Sequence, residues 1–353
     1  MRIKLAILEK DQRYLERIVS VFSTKYADKF EIYSFTDVAM AMSTLDSARI
    51  DVFVASDAFD IDVTAIPKRC GFTYFADSAD IDIIRDQRAI CKFQKADLIY
   101  KQILGIYSEK AGSTSGLKLG DESAKILAFC SAGGGTGSSS MAASAAIYFA
   151  GKGQRVLYLN LEKFGSSDDF FTAEGQFDMS DIIFALKSQK TNLPLKLESC
   201  VKQDRHGVYF YSRPKVALDM YELTANDTIR LIEETALSGH YDEVILDMDF
   251  SLDSDFLRIF RQVHALVWVG DGSEISNGKV QRAYQALSIA EQGNDSPLMN
   301  RLCFIYNKFS NKTSRTIEGI NFRNVGGAPR YEHASTEQVL EQLSKMEMFD
   351  KIL

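Results

Sequence analysis

Short apolar runs alternate along the whole chain with stretches whose apolar residues recur at the three-to-four spacing of an amphipathic helix. In the first third, strand-like runs fall at residues 3–8, 30–35, 52–55, 72–75 and 89–93, and helical spacing at 11–26, 37–46, 79–86 and 97–108. Strands that alternate with helices in this way imply a doubly wound parallel sheet, with any site at the carboxyl ends of its strands. The alternation resumes after residue 122. Strand-like runs lie at 126–130, 155–162, 207–214, 243–246, 265–271 and 301–309, and helical spacing at 138–150, from Ser180, at 226–238 and at the C-terminal end. Between the two series, residues 110–122 (KAGSTSGLKLGDE) show no periodicity and read as a flexible connector. The expected organisation is two doubly wound, three-layer α/β/α domains at 1–109 and 123–353, joined by a linker at 110–122.

Composition narrows the class. A chain of 353 residues, 46% hydrophobic and 25% charged, is an ordinary globular protein too long for one small core. The formal charge of −7 argues against sequence-independent binding to nucleic acid, which needs basic surface to displace counterions. The cysteines Cys70, Cys91, Cys130, Cys200 and Cys303 form no CxxC pair and read as reduced, buried thiols of a cytoplasmic protein. The opening MRIKLAILEKDQ turns charged too early for a signal peptide, and no apolar run is long enough for a membrane span.

The stretch that carries chemistry is ILAFC, then SAGGGTGSSS, then MAASAAIYFA, over residues 126–150. It reads as a buried strand, a glycine-rich turn and a helix of small residues. Gly133, Gly134, Gly135 and Gly137, with Thr136 between them, free the backbone amides to wrap a phosphate chain. Ser138, Ser139 and Ser140 then open a helix whose first turn favours an anion. This is P-loop architecture with the GxxxxGK(S/T) pattern broken: Ala132 holds the first glycine slot, Ser138 the lysine slot and Ser139 the hydroxyl slot. Farther on, the run 243–246 leads into Asp247, the Walker B arrangement in which a strand-end carboxylate holds a water of Mg2+ opposite the P-loop hydroxyl. Asn307 ends a late strand, where an amide can read an adenine edge, and Pro329 follows a glycine turn before the last helix.

In the first domain, Glu9 and Asp11 follow the first strand, Ser56 and Asp57 the third, and Lys95 the fifth. This resembles the receiver domain of response regulators, in which acids hold Mg2+, a strand-end aspartate is phosphorylated and a lysine contacts the phosphoryl group. Here the acceptor slot falls on Ser56, and Ala76 stands where the family has Ser or Thr. The resemblance therefore implies a flavodoxin-like, receiver-like domain that docks partners and is not phosphorylated.

From residue 122 onward the order of GGGTGSS (133–139), NLE (160–162), Asp247 and Asn307 resembles the ParA/MinD family of deviant Walker ATPases. Joined to a receiver-like domain, the layout resembles the TadZ/CpaE subgroup associated with tight-adherence (Flp-type) pilus assembly. The resemblance implies a P-loop NTPase fold, ATP and Mg2+ as cofactors, and Mg2+ held through Ser139 and Asp247. It also implies Glu162 in the slot that orients the attacking water, an ATP-promoted homodimer, and pilus-assembly or polar partners of a cytoplasmic protein recruited to the cell pole or inner membrane surface. Gly133 and Ser138 occupy the two positions where that family carries lysines, so binding without efficient turnover is the physical expectation. Lys163 or Arg213 could supply a cation, though sequence places neither. A nucleotide-free interaction protein with a vestigial loop and an active partitioning ATPase are the alternatives. The C-terminal apolar residues (Val339, Leu340, Leu343, Met346, Phe349, Ile352, Leu353) read as helix core, since four interleaved acids make a poor face for anionic lipid.

Overall fold

The computed structural model describes residues 2–112, 123–188, 190–292 and 298–353. Contacts divide the chain into two units: residues 1–115 with 188–200, and residues 116–187 with 201–353. Of the expected connector, residues 113–122 lie outside the described residues.

The first unit runs β1 (Ile3–Leu8), α1 (Gln12–Lys25), β2 (Phe30–Phe35), α2 (Val38–Ser47), β3 (Val52–Ser56), β4 (Gly71–Ala76), β5 (Ile83–Ile84), β6 (Gln87–Cys91) and α3 (Ala96–Lys110). Asp11 caps α1 by accepting from the Arg13 and Tyr14 N–H groups, and Asp37 caps α2 through the Met40 N–H, so both helix starts are written in the sequence. The sheet order is β2-β1-β3-β4-β6-β5, parallel except for the short β5–β6 pair. The helix expected at 79–86 is absent. In its place Arg85 and Asp86, with φ of 48° and 60°, make the tight turn of a β5–β6 hairpin. Two consecutive left-handed residues fit the right-handed twist of a hairpin and cannot propagate a helix.

The second unit opens with β7 (Lys125–Cys130), α4 (Ser138–Gly151), β8 (Val156–Asn160) and α5 (Met179–Lys187). The chain then returns to the first unit as α6 (Leu193–Cys200), which packs against α3. Tyr100 donates to Glu198 at 2.8 Å, and Lys196, almost fully buried, lies 3.7 Å from Glu109. Helix α3 is consequently buried on more of its circumference than a surface helix, and α6 is an element that periodicity did not disclose.

The remainder is β9 (Lys202–Gln203), β10 (Tyr209–Phe210), α7 (Ala225–Leu237), β11 (Glu243–Asp247), α8 (Ser254–Phe260), β12 (Ala265–Gly270), α9 (Glu274–Ala290), β13 (Leu302–Phe309), β14 (Arg323–Pro329) and α10 (Thr336–Leu343). Sheet order is β14-β13-β12-β7-β11-β8-β10-β9, parallel apart from β9 against β10. Strands β8, β11 and β12 are buried at every residue, as befits a parallel sheet covered on both faces. Ala142, Ala143, Ala145 and Ala146 let α4 lie close over β7, β8, β11 and β12. On the C-terminal segment Leu340, Leu343, Phe349 and Ile352 are buried in the same core as α4, which matches the helix-core reading, while Leu353 is exposed. No helix among the described residues is long and apolar enough to cross a membrane. All five cysteines are buried and none forms a disulfide, as expected.

Candidate functional site

The glycine-rich turn lies between β7 and α4, at the carboxyl end of the central strands. Gly137 caps α4 with φ +84°, a conformation glycine adopts without the steric cost of a Cβ. A Cβ on Gly137 would also meet Asn307 Nδ2 at 2.5 Å. No side chain caps the helix, so the first-turn N–H groups at Ser138–Ser140 keep the orphan donors of an uncapped α-helix start. The turn is held from outside. The Ser131 hydroxyl lies 2.6 Å from the Val269 carbonyl and accepts from the Gly133 N–H at 3.1 Å. Asn307, buried at the end of β13, donates to the Thr136 carbonyl at 2.8 Å. Lys308 Nζ donates to the Gly135 carbonyl, also at 2.8 Å. Apart from the Gly133 N–H, which Ser131 engages, these contacts use the Gly135 and Thr136 carbonyls of the turn rather than its amides. Thr136 is buried with its Oγ1 unpartnered.

Beside the turn is an acidic corner. Parallel pairing sets Asp247 of β11 level with Phe129 of β7 and Asn160 of β8. Asp247 is fully buried. Its Oδ2 accepts from the Tyr158 hydroxyl at 2.6 Å and from Asn160 Nδ2 at 3.0 Å, whereas Oδ1 has no partner. Burial above all, then the charge of Glu162, pushes its pKa up to about 8, against the hydroxyls of Tyr158 and Ser139. Ser139 Oγ donates to Glu162 Oε2 at 3.2 Å. Burial and then the charge of Asp249 raise the Glu162 pKa as well. Residue 165 must be small: a Cβ there would lie 2.5–2.8 Å from the side-chain ends of Asn160 and Glu162.

This corner fits a divalent cation. The buried Asp247 carboxyl, with Oδ1 orphaned, lies beside the Ser139 hydroxyl and the Glu162 carboxyl, a hard-oxygen donor set whose raised pKa values mark acids that a bound cation would ionise. Among the described residues no group of three or more His, Cys, Asp or Glu side chains is placed to hold a metal by itself. A Mg2+ that arrives with phosphates needs only one or two carboxylates from the protein, so the two facts agree.

The structure thus brings Gly133–Ser140, Asn307, Ser139, Glu162 and Asp247 together. Pro329 ends β14, exposed and paired with Phe309. Of the two cations considered from sequence, Lys163 is turned away: its Nζ donates to the Met220 carbonyl at 2.6 Å and lies over the Tyr221 ring. The Arg213 backbone N–H is held by Asp168. The lysines that do approach the turn are Lys308 and Lys279, the latter with its Cδ 3.9 Å from where a Gly133 Cβ would stand. Sequence reasoning missed both. The signal for Lys308 was its place directly after Asn307.

In the first unit, the corner at the strand ends is organised by Lys92, not by Lys95. Lys95 precedes α3 as its capping residue. Lys92 follows β6 and is buried, 3.0 Å from Glu9 Oε2, 2.9 Å from Asp77 Oδ1 and 3.4 Å from Ser56 Oγ. Burial alone would lower its pKa, but the bonds to Asp77 and Glu9 hold it raised. Ser56 occupies the acceptor slot at the end of β3, almost fully buried.

Residues 1–108 match the family model of the TadZ-like receiver domain. No curated protein matches the chain. Among solved structures, the ParA family ATPase of Chlorobium tepidum is 22% identical over 65% of this chain and 98% of its own, with a TM-score of 0.52. The MinC:MinD cell division protein complex of Aquifex aeolicus is 15% identical over 65% of this chain and 94% of that one, with a TM-score of 0.50. At these identities the likeness is one of fold. Residues 1–108 are thus similar to a TadZ-like receiver domain, and the chain shares the fold of ParA/MinD-family ATPases over about two thirds of its length.

Proposed function

We propose that this chain, a TadZ-like receiver domain joined to a ParA/MinD-type fold, is an ATP-binding scaffold for pilus assembly of the tight-adherence type, with little or no hydrolysis. The observation that carries the reading is the unpartnered, buried Asp247 Oδ1 beside the Ser139 hydroxyl, at the mouth of an uncapped helix N-terminus. A vestigial site has no physical reason to keep a buried carboxylate oxygen without a donor, which costs roughly 1–3 kcal/mol or more.

The residues divide the work. Gly133–Gly137 and the N–H groups at Ser138–Ser140 cradle phosphate, and Ser139 and Asp247 hold Mg2+, the latter through water. Bound Mg2+ supplies charge neutralisation for the phosphates. Asn307 fixes the turn through Thr136 and lies beside the expected base, with Pro329 on the next strand. Glu162 stands where a water-orienting acid belongs. Its carboxyl already accepts the Ser139 hydroxyl, and that bond must open before the acid can orient water. The P-loop lysine position carries Ser138, and turnover suffers by orders of magnitude for want of that charge.

The ATP state is a homodimer. The N-terminal domain (1–109), linked through 110–122 to the ATPase domain (123–353), docks a polar or pilus-assembly partner that recruits a cytoplasmic protein to the pole. A nucleotide-free scaffold is the second reading, favoured by the bonds from Asn307 and Lys308 that satisfy the turn without a ligand. Calorimetry with Mg-ATP at millimolar concentration separates them: binding with negligible phosphate release is expected, and no binding leaves only the nucleotide-free scaffold.

A further inference from the structure

We propose that Lys308, from the end of β13, supplies the phosphate-binding cation that the P-loop itself lacks. The inference rests on the ATP-binding reading above.

Its basis is a bulge. Pairing of β13 with β14 slips between Tyr306 and Phe309, and Lys308 within that slip has φ +56°. A left-handed, non-glycine residue in a strand persists when its surroundings hold it there. Here Asn307 and Lys308 are held together: Asn307 Oδ1 accepts from the Lys308 N–H at 2.9 Å while its Nδ2 donates to Thr136. The slip redirects a side chain that regular alternation would have placed otherwise.

The ammonium that results is at the glycine turn. It bonds the Gly135 carbonyl at 2.8 Å, and its Nζ and Cε lie 3.7 and 3.5 Å from where a Gly137 Cβ would stand. Gly137 directly precedes Ser138, the slot from which a P-loop lysine would branch. The cation therefore reaches the region from a different strand. Lys308 is exposed, and an ammonium has three donors, of which Gly135 takes one. The others are available to oxygens of a polyphosphate lying along the turn. The missing side chain at Gly137 makes room for Asn307, whose Nδ2 would lie 2.5 Å from a Cβ there and which holds the Lys308 N–H.

The test removes the charge without straining the backbone. Lys308→Gly keeps the positive φ accessible, so thermal stability of the nucleotide-free protein should hold, while affinity for Mg-ATP should fall about tenfold to a hundredfold, the usual worth of one charge-assisted bond. Lys308→Arg should retain most of the affinity. The decisive variant is Lys308→Gly with Ser138→Lys, which returns a cation to the turn from the other side and should recover binding. Parent-level affinity in Lys308→Gly overturns the assignment and leaves ATP binding intact. A loss that neither Lys308→Arg nor Ser138→Lys corrects makes the residue structural and also overturns it. No binding by the parent protein removes the ATP-binding reading itself, and this inference with it.

Discussion

Ser139 and Glu162 share a hydrogen bond of 3.2 Å, donated by the hydroxyl, across the gap between the first turn of α4 and the loop after β8. The bond occupies the hydroxyl that a P-loop offers to Mg2+ and the acid that would orient water. Metal binding must therefore turn the Ser139 proton away from Glu162. Ser139→Ala should weaken Mg-ATP binding markedly while leaving nucleotide binding in EDTA nearly unchanged. Equal losses with and without metal, in a titration of both states, would assign Ser139 to phosphate rather than to Mg2+.

Asp247 gives a pH signature. Its pKa of about 8 in the fold lies far above that of an ordinary carboxyl, so the native state keeps a proton that the unfolded chain releases. Its contribution to stability is fully present below about pH 4 and is lost as pH rises through about 8, at no more than about 1.4 kcal/mol per unit. Glu243, raised by burial to about 7, adds to the same trend at lower pH. Chemical denaturation from pH 6 to 8.5 should show a shallower decline in Asp247→Asn than in the parent. Saturating Mg-ATP should flatten the parent in the same way, because a bound cation stabilises the carboxylate. Identical slopes for parent and variant would show that Asp247 titrates outside this window.

Gly137 is fixed by two independent constraints, φ +84° and the 2.5 Å approach of Asn307 to its missing Cβ. Gly137→Ala should cost about 1–3 kcal/mol from backbone strain alone. Adding Asn307→Ala removes the clash but not the strain, so the double variant should recover only part of the loss. Full recovery in urea unfolding would show that the clash was the whole effect.

Much of this was legible in residues 126–150, where a buried strand, four glycines and a run of serines encode strand, turn and helix without help from distant contacts. Asp247 was legible for the same reason, as an acid that directly ends a buried run. What sequence did not disclose depends on contacts far along the chain. Helix α6 belongs with the N-terminal unit through α3, about ninety residues earlier. Residues 79–86 carry spacing compatible with a helix, yet two left-handed residues at 85 and 86 decide for a hairpin. Lys95 stands directly after a strand expected at 89–93, but β6 ends at Cys91, so Lys92 is the lysine at the strand end. Three residues at a strand end determine whether a lysine points into a corner or caps the next helix. Lys308 was hidden by a bulge, which no alternation pattern announces.

The Lys92 corner predicts an N-terminal domain that is not phosphorylated. The ammonium between Glu9 and Asp77 already provides the positive charge that a metal would bring, and Ser56 replaces the acceptor. Beryllofluoride with Mg2+ should leave amide chemical shifts of this domain unchanged, and acetyl phosphate should add no mass; stoichiometric modification at Asp57 would overturn the claim. Lys92→Met strands the buried Glu9 carboxylate, and loss of a buried partner costs about 3–5 kcal/mol. Hydrogen exchange across β1, β3 and β6 should accelerate accordingly, with recovery in Lys92→Met, Glu9→Gln.

Assembly follows from what Gly133 lacks. The family that this sequence resembles carries a lysine at this position, and a glycine has no side chain with which to reach a second copy. A dimer closed over ATP encloses phosphate charge, which is costly unless donors from the two copies meet it. The turn's amides supply several, and Lys279, whose stem passes 3.9 Å from the absent Cβ, is the nearest side chain able to stand in. The expected outcome is a homodimer promoted by Mg-ATP, with Gly133→Lys tightening it by about tenfold or more, the worth of one charge-assisted contact. Light scattering on nucleotide-stripped protein, with and without Mg-ATP, measures this directly. A monomer in both conditions at concentrations where calorimetry shows the site filled would separate binding from assembly and remove the nucleotide-switched dimer.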